Sequence, residues 1–186
     1  MENNVVALDV SMKCTGISVF TNDGEHLLTT SIETDAREER RQRLRNLYVG
    51  LREIRKEYNP VLAVFEEGFF RYIRSTQVLF RAIGVAQLAF WDVKQIYYPS
   101  TQVKLIVAGV GNATKEMVHL EVGKRYPNVV CKNLDESDSL SVGMAYFIQK
   151  GKGNGTENIQ ENSGDGRKTK RSRTKKSKTS RKVSKK

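Results

Sequence analysis

The chain has 186 residues, of which 38% are apolar, and a formal net charge of +11. Twelve of its 32 Lys and Arg residues fall in 167–186, which hold no acid and only Val183 as an aliphatic residue, so the first 166 residues are close to neutral. That size and charge leave room for one ordinary domain plus a basic appendage, and no apolar run is long enough to span a bilayer. Cys14 and Cys131 make neither a disulfide framework nor a CxxC zinc site, and the N-terminus lacks the pattern of a secretory signal. These features predict a soluble protein of a reducing compartment, cytoplasmic, with a nuclear address open because KRSRTKK would also serve as an import signal.

In chain order, Val5–Val10 reads as a buried strand that carries Asp9 near its end. Thr15–Phe20 and Leu27–Glu33 follow as β-branched strands around the turn signal Asn22-Asp23-Gly24, which predicts an antiparallel meander. Leu44, Leu47, Leu51 and Ile54 recur at helical intervals within Arg37–Tyr58, and Asn59-Pro60 ends that helix. Val61–Phe65 is a fourth strand leading directly into Glu66-Glu67. Ser75–Lys94 returns to helical spacing, and Ile96–Tyr98 is a short fifth strand. Helices are predicted over Thr101–Val107, Lys115–Arg125 and Asp135–Gln149.

Passing from the meander through a long helix to Val61–Phe65 requires a parallel crossover. The fold expected is therefore α/β: a five-stranded mixed sheet flanked by helices, the order of ribonuclease H-like nucleases and also of actin-like ATPase halves. The domain should span 1–149. Residues 150–166, rich in Gly, Asn, Glu and Ser, read as a flexible linker, and 167–186 as a disordered basic tail. Such a tail favours a polyanion, because neutralising phosphates releases counterions. A solubility tail and a membrane-surface patch are the competing readings.

Asp9 and Glu66 both close apolar strands, and neighbouring strands would bring them to one sheet edge. Asp135 and Asp138 sit three residues apart and so share a helix face. Four carboxylates without histidine or thiolate suit a hard cation such as Mg²⁺ or Mn²⁺. Taken singly, each has a plain explanation, first-turn acids on a helix above all. Glu67 competes with Glu66, which is favoured as the first residue beyond the apolar run.

With these residues in hand, the chain resembles the RuvC family of Holliday-junction resolvases. Ala7-Leu8-Asp9-Val10-Ser11 with Thr15-Gly16 is similar to that family's first catalytic strand and turn, and Val64-Phe65-Glu66-Glu67 to its second acidic strand end. Gln102-Val103-Lys104, Gly109-Val110-Gly111 and Lys115 resemble its most distinctive block, and Asp135-Glu136-Ser137-Asp138 its closing DxxD helix. The resemblance runs from about Val5 to Phe147 and implies a ribonuclease H-like fold. It further implies that Asp9, Glu66, Asp135 and Asp138 bind two Mg²⁺ ions, for which Mn²⁺ can substitute. Lys104 and Lys115 would lie near the DNA backbone, and Lys115 would contact a phosphate close to the chemistry. Phe69 or Phe70 would stack on a base near the cut. Val10-Ser11 stands where the bacterial pattern has Pro-Gly, and the basic tail lies outside the resemblance, which implies a divergent or phage-encoded member.

The function implied is paired cutting of a four-way DNA junction by a homodimer in recombination and repair. Helix Ser75–Lys94, with Phe80, Leu88, Phe90 and Trp91, is a candidate interface as well as a candidate core element. Arg167, Lys168, Lys170, Arg171 and Arg173 of the tail would add phosphate contacts. Rival readings are a nuclease for RNA–DNA hybrids or other branched DNA, a non-catalytic basic DNA-binding protein, and an actin-like phosphotransferase.

Overall fold

Val5 through Leu8 are wholly shielded from solvent, and a strand buried on both faces must be apolar at every position. This strand, β1 (Asn4–Asp9), is the middle member of a sheet that also holds β2 (Cys14–Phe20), β3 (His26–Glu33), β4 (Pro60–Glu67) and β5 (Lys94–Pro99). The computed structural model describes residues 3–67 and 73–153, and among these the strands run in the order β3-β2-β1-β4-β5. β1, β2 and β3 pair antiparallel, whereas β4 lies parallel to both β1 and β5. The meander and the crossover are thus both present.

Side-chain parity divides the sheet between two cores. Val6 and Leu8 of β1 and Ala63 and Phe65 of β4 pack with Leu47 and Leu51 of α1 (Arg40–Tyr58) and Ala82 and Ala86 of α2 (Ile73–Ala89). Val5 and Ala7, with Leu62 and Val64, face the other way. They meet Val103 and Val107 of α3 (Ser100–Ala108), Val118 and Val122 of α4 (Lys115–Arg125), and Leu140 and Val142 of α5 (Leu134–Gly153). Asp9 continues the series of Val5 and Ala7, and Glu66 that of Leu62 and Val64. Glu67 belongs to the opposite series, because successive strand residues alternate faces.

Most boundaries fall within two residues of those expected, and three differ by more. α1 starts at Arg40 rather than Arg37, because the Asp35 carboxylate takes the Arg37 backbone N–H (2.9 Å) and guanidinium (2.6 Å) in a local turn that competes with the helix. α2 stops at Ala89, where Phe90–Val93 turn tightly so that β5 can begin at Lys94. α5 continues through Gly153, so the folded part extends four residues into the expected linker. The helix is held there by Lys150, whose ammonium donates to the Asn22 carbonyl (2.8 Å) and side-chain oxygen (2.9 Å). The remaining linker and the tail lie outside the described residues.

α5 lies across β2 at very short range. A Cβ on Gly16 would fall 1.8 Å from the Asp135 carbonyl oxygen, and one on Gly143 would fall 2.1 Å from the Phe20 ring. Between these two points, Ser18 and Ser139 share a buried hydrogen bond of 2.8 Å. Gly16→Ala should therefore push the start of α5 off the sheet. The expected cost is about 3 kcal/mol of unfolding free energy, read from urea denaturation.

Candidate active site

The parallel register pairs Leu8 with Phe65, so Asp9 and Glu66 come next, side by side at the carboxyl ends of β1 and β4. Both line a cavity of about 190 Å³ together with Asp138, Lys104, Lys115 and Ser100. Glu67 is exposed and does not line this cavity. The turn behind Asp9 is closed by side chains. Ser11 accepts from the Cys14 backbone N–H (3.1 Å) and donates to the Cys14 carbonyl (2.7 Å), while the Thr15 hydroxyl donates to the Ser11 carbonyl (2.7 Å). Ser11 thus closes the turn directly behind Asp9.

The DxxD helix is aimed by a network at its first turn. Asn133 accepts from the Glu136 backbone N–H (2.9 Å) and donates to the Ser31 hydroxyl (2.9 Å). The Glu136 carboxylate, only 1% exposed, accepts from that same hydroxyl (2.9 Å) and from the Lys132 backbone N–H (2.7 Å). This capping arrangement satisfies donors at the helix start and ties it to β3. Asp138 then turns into the cavity, where Lys115 Nζ lies 2.5 Å from Oδ2 and His119 Nε2 lies 3.5 Å from Oδ1. Asp135 does not line the cavity, although its charge is felt by Asp9, and it lies close enough to Cys14 to help burial raise that thiol.

Burial, and then the charges of Glu66, Asp138 and Asp135, push the Asp9 carboxyl up to about 8; Lys115 opposes the shift. Glu66 is also raised, chiefly by burial. A hydrogen bond from Ser100 pulls it back, Asp138 raises it, and Lys115 and Lys104 lower it. Lys115 is raised, first by its bond to Asp138. A carboxyl displaced that far marks a buried place where the charged form loses water first and is then opposed by neighbouring carboxylates.

Among the described residues, no three His, Cys, Asp or Glu side chains stand ready-made around one ion. The donor chemistry nonetheless suits a hard divalent cation. Asp9, Glu66 and Asp138 offer only oxygen, their combined charge is undercompensated, and a lysine ammonium rests on Asp138 as a cation would. The sequence pattern does not single out Ser100, Glu136 or His119 for the site. Only the position of Ser100 at the start of a helix, just after β5, hints at its part. Phe69, Phe70, Arg167, Lys168, Lys170, Arg171 and Arg173 lie outside the described residues. A larger concavity of about 520 Å³, between His26–Thr29 and Arg125–Val130, contains none of the carboxylates.

Because the Asp9 carboxyl is raised in the folded state, it holds its proton more tightly folded than unfolded. Its contribution to metal-free stability is full below the unfolded value near 4 and is lost as pH rises through about 8. Asp9→Asn should leave the thermal midpoint nearly unchanged at pH 4 and raise it at pH 9, since each tenfold difference in proton affinity is worth about 1.4 kcal/mol. Melting curves in chelator across that range check this, and parallel curves for the two proteins would contradict it.

Comparison with known proteins identifies the family and the fold. Residues 5–146 match the family model described as crossover junction endodeoxyribonuclease RuvC. The RuvC proteins of Gluconobacter oxydans and Granulibacter bethesdensis are each 32% identical over 148 residues. These alignments cover 76% of this chain and 88% and 83% of the relatives. Among solved structures, Thermus thermophilus RuvC in complex with Holliday junction substrate superposes with a TM-score of 0.72 at 21% identity, over 81% of this chain and 96% of that one. The yeast mitochondrial Holliday junction resolvase gives 0.61 at 11% identity, covering 83% of this chain and 82% of that one. The fold is the ribonuclease H-like fold of these resolvases, and the chain belongs to the crossover junction endodeoxyribonuclease RuvC family.

Proposed function

We propose that this chain, a metal-dependent nuclease like the rest of its family, resolves four-way DNA junctions by paired phosphodiester hydrolysis, using Mg²⁺ held by Asp9, Glu66 and Asp138 with Asp135 beside them. One observation carries this: three carboxylates from two strand ends and one helix line the same cavity as Lys104 and Lys115. A pair of such ions, when bound, supplies Lewis acidity and a water activated for attack, and Mn²⁺ can take their place. The chain's own groups do the rest. The paired strand ends fix Asp9 and Glu66, Ser100 orients the Glu66 carboxylate, and the Glu136 network holds Asp138 to face them. Lys115 leaves half its side chain exposed, so its ammonium can pass from Asp138 to a backbone phosphate. Lys104 lines the same cavity and would supply a second phosphate contact.

Two symmetric cuts call for two sites, and a two-fold junction is met by a two-fold dimer. α2 and the turn after it expose Phe80, Leu88 and Trp91, the last to 71%, while Phe90 is withdrawn into the core. The three exposed residues would supply the interface, and Phe90 is a core residue rather than a contact. The basic residues of 167–186 would add sequence-independent affinity. Among the described residues, no helix is long and apolar enough to cross a membrane.

A synthetic four-way junction incubated with Mg²⁺ should be cut at symmetric positions. Asp9→Asn, Glu66→Gln and Asp138→Asn should each lose about 10²-fold or more of the rate, whereas Glu67→Gln should stay within about threefold of wild type. Undiminished cutting by any of the first three, or preferred cutting of flaps, forks or RNA–DNA hybrids, would reject the assignment. Leu88→Glu with Trp91→Glu should convert a dimer to a monomer in light scattering. A mass unchanged by that double substitution would rule out this interface.

A further inference from the structure

Asp138 is approached by two side chains of a single helix. Lys115 and His119, four residues apart on one face of α4, meet different oxygens of its carboxylate, Oδ2 at 2.5 Å and Oδ1 at 3.5 Å. The two contacts differ in kind. The lysine has a flexible, half-exposed stem, and its ammonium is free to travel with a phosphate. The imidazole is largely enclosed, and its Nε2 is shut off from solvent with no hydrogen-bond partner. A buried polar nitrogen rarely stays unpaired. The Asp138 oxygen it faces stands only about 0.5 Å beyond the usual N–H···O separation.

We propose that His119 is a positioning residue for Asp138. In the enzyme engaged with metal and DNA, it donates Nε2–H to Oδ1, which sets the plane of the carboxylate and keeps Oδ2 available once Lys115 has left it. A neutral ring carrying its proton on Nε2 is sufficient. His119 lies outside the cavity lining and does not itself hold the ion. Hydrogen-bond partners of this sort orient ligating carboxylates and alter metal affinity without touching the metal. The inference rests on the carboxylate site proposed above.

The test uses three variants of the full chain. H119Q places an amide nitrogen where Nε2 stands, H119N places it nearer the position of Nδ1, and H119L fills the space with no donor. Mn²⁺ binding without DNA is followed by electron paramagnetic resonance, beside thermal midpoints in chelator and the kcat and KM for junction cleavage. H119L and H119N should bind Mn²⁺ about 10-fold more weakly, with kcat reduced and KM nearly unchanged. H119Q should recover to within about threefold of wild type. If the leucine variant melts early, the glutamine–asparagine pair decides, since both are polar and of similar bulk. Equal Mn²⁺ affinity in all three, or a glutamine variant no better than the leucine one, would overturn the proposal. Asp138→Asn run alongside separates the two levels. Should it too bind Mn²⁺ as wild type does, the metal site itself is misplaced, whereas weakening by Asp138→Asn alone removes only His119.

Discussion

The close approach of α5 to β2 governs the rest of the molecule. At Gly16 the helix backbone comes so near the strand that no side chain fits between them, and at Gly143 the Phe20 ring occupies the space a methyl would need. Atoms packed this tightly leave α5 little freedom to slide or roll, because protein interiors are as dense as organic crystals. Asp138 inherits that rigidity. It projects from the same turns of helix that rest on Gly16 and Ser18, so its distance from Asp9 is set by backbone contact rather than by flexible side chains. The polar anchor of Ser31, Asn133 and Glu136 adds direction to that distance, fixing where the helix begins.

On this frame the charges are deliberately out of balance. Three carboxylates surround a small cavity, and the nearest lysine gives most of its attention to one of them. Asp9 takes the consequence, since it is the deepest and the least compensated, and its carboxyl holds a proton up to about 8. Under the proposed function, the same imbalance that costs stability without metal would favour a bound cation. The ammonium of Lys115 on Asp138 fits this picture as an internal counter-charge, present until something more highly charged arrives.

Charge is distributed unevenly along the chain. Residues 1–166 are nearly neutral, and the excess positive charge is collected in 167–186. Positive charge gathered in this way favours polyanions, through an attraction that weakens as salt is added.

Much of this is legible in the residue pattern. Alternation and continuity of apolar residues mark β1 and β4 as strands ending in acids, helical spacing marks the three-residue interval of Asp135 and Asp138, and the mixed sheet follows from the crossover. Local pattern carries such information because strand and helix periods are properties of the backbone. It could not choose between Glu66 and Glu67 by face, since parity states only that the two point apart and not which side holds α5. Nor could it show that Asp138 lines the cavity and Asp135 does not, that Ser100 joins it there, or that Glu136 and His119 stand behind the cavity wall on the helices that carry Asp138 and Lys115. The sequence by itself determined the elements and the inventory of acids. Which acids share a cavity, and with which partners, was decided only by tertiary packing, because those contacts join residues as far apart as Asp9 and Asp138 that no local periodicity relates.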